Sequence, residues 1–467
     1  MVKSLRCRMP IPGSAALLAV VLTGCASPDP YAAPTFPFAA AFRSAPETVR
    51  GAPVLLGNAA WWRHLDDPVL DRLVVLALRD SLTIAQAGAR VAEARASARS
   101  VSGPVALSSS LAGRVSDGDD ANPDTVTAEI GLDWLLDPWG GRRAERQAAS
   151  SRAEAAEAEA TAARLLVLSN LARAYLDLRY RQQLLALAEQ EARSRARTLA
   201  LTRTLAEAEA STRLDLTRSE ARVAGIRAEL PGLRAAIGAK QNEIAVLAGA
   251  APGSLPPDMT AALAQKQGQP RAGLAPDPGI PADLLRNRPD IQVAEHGYYA
   301  ALADLGQARA ALYPNLSLSG AITLAKAGGR ATQIGYFGPV LRLPVFPANT
   351  ARAGVEIRHA RVRAAHAIWR ATVLRALLEV ENALLDYRAV SDSEASANRA
   401  ARLHREALDL TRDLFAAGEA TLGDLIDAEQ AVAEADEVVA GTRYRRSLAF
   451  VALNVALGAG HTAESAR

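Results

Sequence analysis

The chain has 467 residues, of which 49% are apolar and only 4% aromatic; an apolar share made mostly of Ala, Leu and Val favours long, closely packed helices. Lys and Arg number 53 and Asp and Glu number 50, but Lys3, Arg6 and Arg8 lie in the first 24 residues, which contain no acid, so the rest of the chain carries equal numbers of bases and acids. Nucleic acid is therefore not expected as a partner, because no excess of positive charge remains to bind its phosphates.

The amino terminus has the features of an export signal. Three bases precede the apolar run SAALLAVVLTG, residues 14–24, which is shorter than the roughly 20 residues needed to cross a bilayer. The tetrapeptide LTGC, which ends at Cys25, is similar to the bacterial lipoprotein signal, in which the cysteine thiol receives a diacylglycerol. We expect residues 1–24 to be a lipoprotein signal peptide and Cys25 to carry the lipid; an ordinary signal peptide is the alternative.

Cys25 is predicted to be the only thiol of the mature chain, because Cys7 lies in the signal. This excludes disulfides and cysteine-based zinc sites, and no cofactor other than the covalent lipid is expected. Two or three acyl chains hold a protein on its membrane, since each buried CH₂ contributes about 0.8 kcal/mol. By similarity to lipoprotein sorting, Ala26 after the cysteine favours the outer membrane. Residues 25–60 are proline-rich and are predicted to form a lipidated, extended arm.

The rest of the chain repeats itself at a constant offset of 209 residues. AYLDLR at residues 174–179 is echoed by ALLDYR at residues 383–388. The same offset relates six further pairs, namely Pro138 and Pro347, Arg143 and Arg352, Leu205 and Leu414, Asp215 and Asp424, Leu216 and Leu425, and Glu220 and Glu429. A constant offset predicts a tandem duplication. We place a first repeat at 61–249, a linker at 250–280, a second repeat at 281–458 and a tail at 459–467.

Both repeats predict the same order of elements. In the first, apolar periodicity predicts a helix at 68–100, strands at 105–115 and 125–136, and helices at 140–206 and 212–248. In the second, it predicts a helix at 281–312, strands at 315–324 and 336–346, and helices at 349–417 and 421–457. Polar loops at 116–124 and 325–335 are expected to join the two strands of each pair. The Pro- and Gly-rich stretch between the repeats is predicted to be a connecting segment.

The predicted strands alternate between apolar and polar residues. In TVTAEIGLDWLL, residues 125–136, Ile130 and Trp134 lie on one face while Glu129 and Asp133 lie on the other. A period of two places one face in hydrocarbon or a core and the other in water. Aromatic residues near the strand ends are typical of a lipid-facing band. The alternative is a small antiparallel sheet on a soluble domain.

The dimensions of these elements constrain how the chain could cross a membrane. No run of 18 apolar residues follows the signal, so no transmembrane helix is predicted, and a spanning form would have to be a closed β-barrel. Transmembrane barrels start at about eight strands, so several copies must share one. The tract at 140–206 carries a coiled-coil seam that includes Leu168, Leu171, Tyr175 and Leu178. At 1.5 Å per residue such a helix is on the order of 100 Å long, so it would project from the membrane.

Taken together, these motifs resemble the TolC-like outer membrane factor family, the lipoprotein channels of tripartite efflux pumps. The resemblance covers nearly the whole chain and rests on the lipid signal at Cys25, LDWLLDPWGGRR at 132–143, LLRNRPDIQVAE at 284–295, ARAALYPNLSLSG at 308–320 and AAGEATLGDLIDAEQ at 416–430. It implies a mixed α+β fold and a homotrimer, in which four strands from each of three chains form a 12-stranded barrel and the helices form a periplasmic coiled-coil tunnel. It also implies outer-membrane lipid, a periplasmic adaptor protein and an inner-membrane RND-type pump as partners.

The turn between the last two helices is the predicted periplasmic gate. That helix pair turns at Gly418, and Asp424 and Asp427 follow on one helical face. Around a threefold axis these acids would form rings in which like charges raise each other's pKa and attract cations. The resemblance matches Asp427 to the acid that lines the family's closed aperture. Phe415 and Ala416 stand where related channels often carry a tyrosine and a base, which argues against a polar latch there.

A structural role is the alternative for both acids, because carboxylates at a helix start complement its dipole. Asp215, the repeat mate of Asp424, is a weaker candidate, since Glu209 replaces the turn glycine and Arg218 replaces the second acid. No GxSxG, P-loop, HExxH or cysteine cluster is present. His359 and His366 lie seven residues apart without a third ligand, so a metal site is not expected.

The function predicted from the sequence is a passive, lipid-anchored exit duct, not an enzyme. The barrel would cross the outer membrane, the tunnel would extend into the periplasm, and opening of the Gly418 tip would let cargo through. Two alternatives are a periplasmic coiled-coil scaffold lipoprotein without a pore and a protein-secretion duct of the same family.

Overall fold

The structure is a computed structural model that describes residues 34–44, 60–101, 103, 105–114, 125–271, 280–327, 330–343 and 348–459. The predicted signal peptide, Cys25, most of the predicted arm and the loop at 116–124 lie outside the described residues. The described chain forms nine α-helices and four strands: α1 Pro68–Asp80, α2 Leu82–Ser100, β1 Val105–Arg114, β2 Thr125–Leu136, α3 Gly141–Glu207, α4 Arg213–Leu247, α5 Pro257–Ala264, α6 Leu284–Asn287, α7 Pro289–Ala310, β3 Asn315–Ala327, β4 Arg330–Arg342, α8 Ala348–Ala416 and α9 Leu422–Ala456. Among these helices, none has an 18-residue window apolar enough to cross a membrane.

Most of the predicted elements are confirmed. Strand β2 has the predicted bounds, and α3, α4, α8 and α9 each begin and end within one residue of the prediction. Each repeat therefore consists of shorter helices, a pair of strands and two long helices, in the same order, which agrees with the proposed duplication.

Two helices predicted as continuous are broken in the structure. The helix predicted at 68–100 is divided at Ser81, whose backbone is extended with ψ 122°; serine side chains compete for backbone hydrogen bonds and readily leave a helix. The helix predicted at 281–312 is divided at Arg288, with ψ 116°. The cause is Pro289, because a proline ring disfavours the helical conformation of the residue before it.

Two predicted loops are more ordered than expected. The loop predicted at 325–335 is wrong, because β3 and β4 pair as far as Ala327 opposite Arg330. Backbone hydrogen bonds continue the ladder there even though the side chains no longer alternate clearly. Within the predicted linker, α5 buries Met259, Ala262 and Leu263.

The described residues fall into two compact units. The sheet unit contains the four strands and belongs to the ranges Ala92–Ala155 and Ala294–Trp369. The helix unit belongs to the ranges Phe36–Val91, Ala156–Val293 and Arg370–Arg467.

The sheet unit is built on one antiparallel sheet in the order β1-β2-β3-β4. Leu107, Leu132 and Phe337 lie on a single cross-strand row with Gly320, on the apolar face. The apolar side chains of this face are exposed in the single chain, among them Leu107, Leu111, Ile130, Leu132, Trp134, Ile322, Leu324, Phe337 and Leu341. On the opposite face, Thr323 Oγ1 donates to Glu129 Oε2 at 3.1 Å and Ser319 Oγ donates to Asp133 Oδ2 at 2.7 Å.

The core of the helix unit is the predicted seam of α3. Leu168, Leu171, Tyr175 and Leu178 are fully buried there. Beside them, the buried Arg179 guanidinium donates to the carbonyl oxygens of Ala262 and Gln265 and to Gln182 Oε1, among other acceptors, so it ties the segment around α5 to α3. Burial of a guanidinium is tolerated when its donors are satisfied in this way.

Candidate functional site

The turn predicted at Gly418 joins α8 to α9 in the helix unit. Gly418 N–H donates to Phe415 O at 3.0 Å and Glu419 N–H donates to Leu414 O at 2.9 Å. The φ of Gly418 is 78°, in the left-handed region that glycine adopts freely. This pair of bonds is the Schellman arrangement that satisfies the last carbonyls of a helix. The turn is therefore confirmed, and its role as a gate stays a prediction.

Asp424 caps the helix that follows the turn. Thr421 Oγ1 accepts from Asp424 N–H at 3.2 Å, while Asp424 Oδ2 accepts from Thr421 N–H at 2.8 Å and from the Thr421 hydroxyl at 2.6 Å. This reciprocal pair is a capping box. The hydrogen bonds from the Thr421 hydroxyl and backbone hold the pKa of Asp424 below its usual value. Within one chain Asp424 thus has the structural role, and its pKa shift is opposite in sign to that expected for a ring of acids.

Asp427 and Phe415 take no part in the capping hydrogen bonds at the start of α9. The Asp427 side chain is exposed one turn beyond Asp424, and it makes no hydrogen bond or ion pair with another described residue. Phe415 is half-buried at the end of α8. Asp427 is therefore the better of the two acids for contact with water and ions.

The first repeat forms the same turn between α3 and α4. Ala210 N–H donates to Leu205 O at 2.8 Å, and Thr212 forms a capping box with Asp215. Glu209 occupies the position of Gly418 with φ 58°. The left-handed conformation costs a residue with a Cβ roughly 1–2 kcal/mol, so this turn is strained where the second is not.

A cavity of about 130 Å³ lies in the helix unit, between side chains of α3, α4, α8 and α9. Glu429 of α9 is among the residues that line it. Its carboxylate accepts from Ser194 Oγ at 2.9 Å and Thr198 Oγ1 at 3.0 Å on α3, and Arg412 Nη2 of α8 lies 3.8 Å away. Only 15% of the Glu429 side chain is exposed. Glu429 therefore ties the second helix pair to the first.

The sequence pattern marked Glu429 only as the repeat mate of Glu220. In the structure Glu220 pairs with Arg203 at 2.8 Å, and both side chains are about half exposed. The two mates thus have different environments, which no local pattern could reveal, because Ser194 lies 235 residues from Glu429 in the chain.

His359 and His366, the two histidines seven residues apart in the sequence, both lie on α8. Within the described ranges there is no cluster of three or more His, Cys, Asp and Glu residues that could hold a metal ion. His366 packs against aromatic rings instead, at 5.9 Å from Trp369 and 5.5 Å from Tyr298 between ring centroids.

Comparisons with known proteins agree on one family. A family model described as outer membrane efflux protein matches residues 73–250 and 280–459. Nodulation protein T of Rhizobium leguminosarum bv. viciae is 32% identical over 459 residues, which cover 96% of this chain and 94% of that protein. The pyoverdine export outer membrane protein OpmQ of Pseudomonas putida is 29% identical, over 96% of this chain and 97% of its own. The solved outer-membrane channel OprN superposes with a TM-score of 0.79 at 27% identity, covering 92% of this chain and 99% of that one.

Proposed function

Because this chain belongs to the outer membrane efflux protein family, we propose that it is the passive exit duct of a tripartite efflux system, carrying cargo from the periplasm to the outside. The observation that carries the proposal is the four-stranded sheet, whose outer strands β1 and β4 each pair with one other strand among the described residues. An open sheet with an apolar face and two free edges invites pairing with further copies.

The proposed assembly is a homotrimer. Strand β1 of one copy pairs with β4 of the next, and three sheets close a 12-stranded barrel in the outer membrane. The apolar face meets lipid, whereas Glu129 and Asp133 face water, because unpaired carboxylates are costly in hydrocarbon.

The helices support association of copies in the periplasm. The part of α8 that lies in the helix unit exposes a set of leucines that recur every four or seven residues on one side, with a single gap of 18: Leu374, Leu378, Leu385, Leu403, Leu410 and Leu414. A one-sided apolar stripe of this kind is buried when helices pack side by side. We propose that it packs against a neighbouring copy and thereby builds the wall of the tunnel.

The remaining parts of the proposal concern the anchor, the partners and the repeats. Cys25 carries the lipid that holds the chain on the outer membrane. A periplasmic adaptor and an inner-membrane RND-type pump supply opening and energy. Residues 61–249 and 281–458 are the two repeats of one duct, joined by 250–280.

The proposed gate is the second helix turn. Gly418 forms the turn, Phe415 and Asp427 narrow its inner end, Asp424 caps the helix behind it, and Glu429 holds the helix pair against α3. Release of the Glu429 contacts lets the turn move outward.

Conductance across a planar bilayer tests the pore. Purified protein carrying Asp427→Ala is expected to conduct ions in discrete steps. Its preference for cations should be lower than that of Gly418 variants, which keep Asp427, because the ring of carboxylates has been removed. A purified trimer that stays silent even with Asp427→Ala and Gly418 variants combined would refute the duct.

Cysteine crosslinking tests the closure of the barrel. Single cysteines placed along β1, such as Ser109→Cys, are combined with single cysteines along β4, such as Gln333→Cys, at several registers. Covalent dimers and trimers are expected at one register. Matched pairs within β2 alone serve as the control and should give monomers only.

A further inference from the structure

Arginines lie in the chain segments that lead into and out of one end of the sheet, the end from which the chain continues into helices. At this end Leu136 is paired with Leu316, and Asn315 with Arg342. Each of the four chain segments next to this end carries an exposed arginine outside the strands, and we call this set the arginine collar: Arg99 before β1, Arg143 after β2, Arg309 before β3 and Arg352 after β4. None of these four side chains forms an ion pair with another described residue.

Helix electrostatics explain only part of the collar. Arg99 and Arg309 lie in the last turns of α2 and α7, where the helix dipole favours a cation. Arg143 and Arg352 lie instead near the starts of α3 and α8, and neither helix has an acid in its first turn. A base near the positive end of a helix is not stabilised by the dipole. The helix dipole therefore does not account for this pair of repeat mates.

The two acids next to Arg143 do not neutralise it either. Asp137 Oδ2 accepts the backbone N–H groups of Arg142 and Arg143, each at 3.0 Å. Glu145 forms its ion pair with Arg142 at 2.9 Å. Both carboxylates are thus engaged by other groups, and the guanidinium of Arg143 remains exposed.

Aromatic side chains mark the level of the collar relative to the sheet. Trp139 stacks on Tyr313 with ring centroids 4.6 Å apart, and its Nε1–H donates to Pro314 O at 2.9 Å. Arg143 follows Trp139 by four residues, and Arg309 precedes Tyr313 by four residues. Along the chain, both arginines are therefore further from the sheet than these aromatic residues. Trp and Tyr settle at the boundary between hydrocarbon and headgroups, so the next layer outward is the phosphate layer.

We propose that the arginine collar binds the phosphate groups of anionic phospholipids, in the leaflet of the outer membrane that faces the periplasm. The inference rests on the proposed function, in that it takes the sheet to be the membrane-spanning part. A guanidinium matches a phosphate with two parallel hydrogen bonds, and a base beside an anionic bilayer surface contributes about fivefold in affinity. Lipid phosphates would also neutralise Arg143 and Arg352, which neither the dipole nor the neighbouring acids do.

The test measures lipid binding to the purified full-length protein in non-ionic detergent, with dimyristoyl phosphatidylglycerol as the probe and dimyristoyl phosphatidylcholine as its neutral counterpart. Native mass spectrometry counts the bound lipids. Wild-type protein is expected to prefer phosphatidylglycerol, and the double variant R143Q/R352Q is expected to raise its dissociation constant about 30-fold, at about fivefold for each charge removed. The preference should also weaken as salt is added.

Two further variants separate charge at this site from charge in general. R143K/R352K keeps both charges but loses the fork of donors, so its affinity should fall between that of the wild type and that of R143Q/R352Q. R399Q/R402Q removes two exposed arginines from the same helix α8, far along it in the helix unit, and should leave the preference unchanged.

Three outcomes would overturn the collar. They are equal binding of the two lipids by the wild type, an unchanged constant in R143Q/R352Q, and dissociation of lipid-free R143Q/R352Q oligomers, which would assign the arginines to another copy of the chain. A protein that conducts in bilayers and yet shows no lipid preference would refute the collar alone, whereas a protein that never conducts would refute the proposed duct.

Discussion

The two helix turns at residues 205–215 and 414–424 have nearly the same backbone and different side chains. Both end their first helix with Schellman-type hydrogen bonds, and both start their second helix with a Thr–Asp capping box. They differ at the left-handed position, which is Glu209 in one and Gly418 in the other. They also differ one turn into the second helix, where Arg218 replaces an acid equivalent to Asp427.

This difference shows which residues of the turn are alike in the two repeats and which have changed. The caps satisfy backbone groups that any helix end leaves open, so their loss would destabilise either turn equally. The exposed side chains do not satisfy backbone groups of the turn, and they differ between the two repeats. Among the described residues, an unstrained glycine, an exposed acid and the contacts of Glu429 with Ser194 and Thr198 occur together only at the second turn. We therefore assign the gate to the second turn and regard the first turn as structural.

The largest expected effect comes from the tie between the helix pairs. Glu429→Ala removes two hydrogen bonds to a carboxylate, from Ser194 and Thr198, and bonds of this kind contribute about 1.5–3 kcal/mol each. We expect the ratio of open to closed channels to rise at least tenfold in planar bilayers.

The repeat supplies the matched control for that experiment. Glu220→Ala removes the mate of Glu429, whose partner Arg203 is about half exposed, and exposed ion pairs contribute only about 0–1 kcal/mol. Its open probability should stay close to that of the wild type. Equal gains in the two variants would show that the repeats are functionally equivalent and that the assignment of the gate is wrong.

Regular elements could be predicted from the sequence because their determinants are local. The alternation in TVTAEIGLDWLL predicts both ends of β2 correctly. The recurrence of apolar residues every three or four positions predicts α3 and α8. The exceptions are also local. Pro289 and Asp290 suit a helix start, and a helix does begin at Pro289, but the prediction of one helix over 281–312 did not apply the break that a proline imposes on the residue before it. The β3–β4 ladder ran beyond its predicted ends because backbone pairing persists where Ala325, Thr332 and Gly335 give no alternating signal.

The candidate site was predictable only where it depends on a turn. Gly418 is typical of a helix end and Thr421 of a helix start, and the structure has both. The contacts of Glu429 could not be predicted, since Ser194 and Thr198 belong to the other repeat and meet Glu429 only after α3 and α9 have packed. Asp424 is different, because its partner Thr421 is only three residues away. Its hydrogen bonds give it, within one chain, the structural role that the sequence offered as the alternative.

Exchanging the left-handed residues should sharpen the comparison with a smaller effect. Gly418→Glu places a Cβ at φ 78° and should destabilise the second turn by about 1–2 kcal/mol; no heavy atom lies within 4 Å of that Cβ, so the cost is backbone strain alone. Glu209→Gly should stabilise the first turn by a similar amount. Amide hydrogen exchange at the two turns measures both changes. A Gly418→Glu variant with unchanged exchange would show that the left-handed conformation is not held in solution.

Acid titration should then show how alike the two caps are. Thr212 lowers the pKa of Asp215 and Thr421 lowers the pKa of Asp424 by the same hydroxyl and backbone hydrogen bonds. A carboxylate whose pKa is lower in the folded state stabilises that state above its unfolded pKa, about 4, and loses this contribution as the pH falls through the folded value. Amide protection at both turns should therefore be constant from pH 5 to 8 and decline together below about pH 4. Asp424→Asn should abolish the decline at the second turn only, and a decline that begins near neutral pH in the wild-type trimer would instead reveal the ring of like charges that a single chain does not contain.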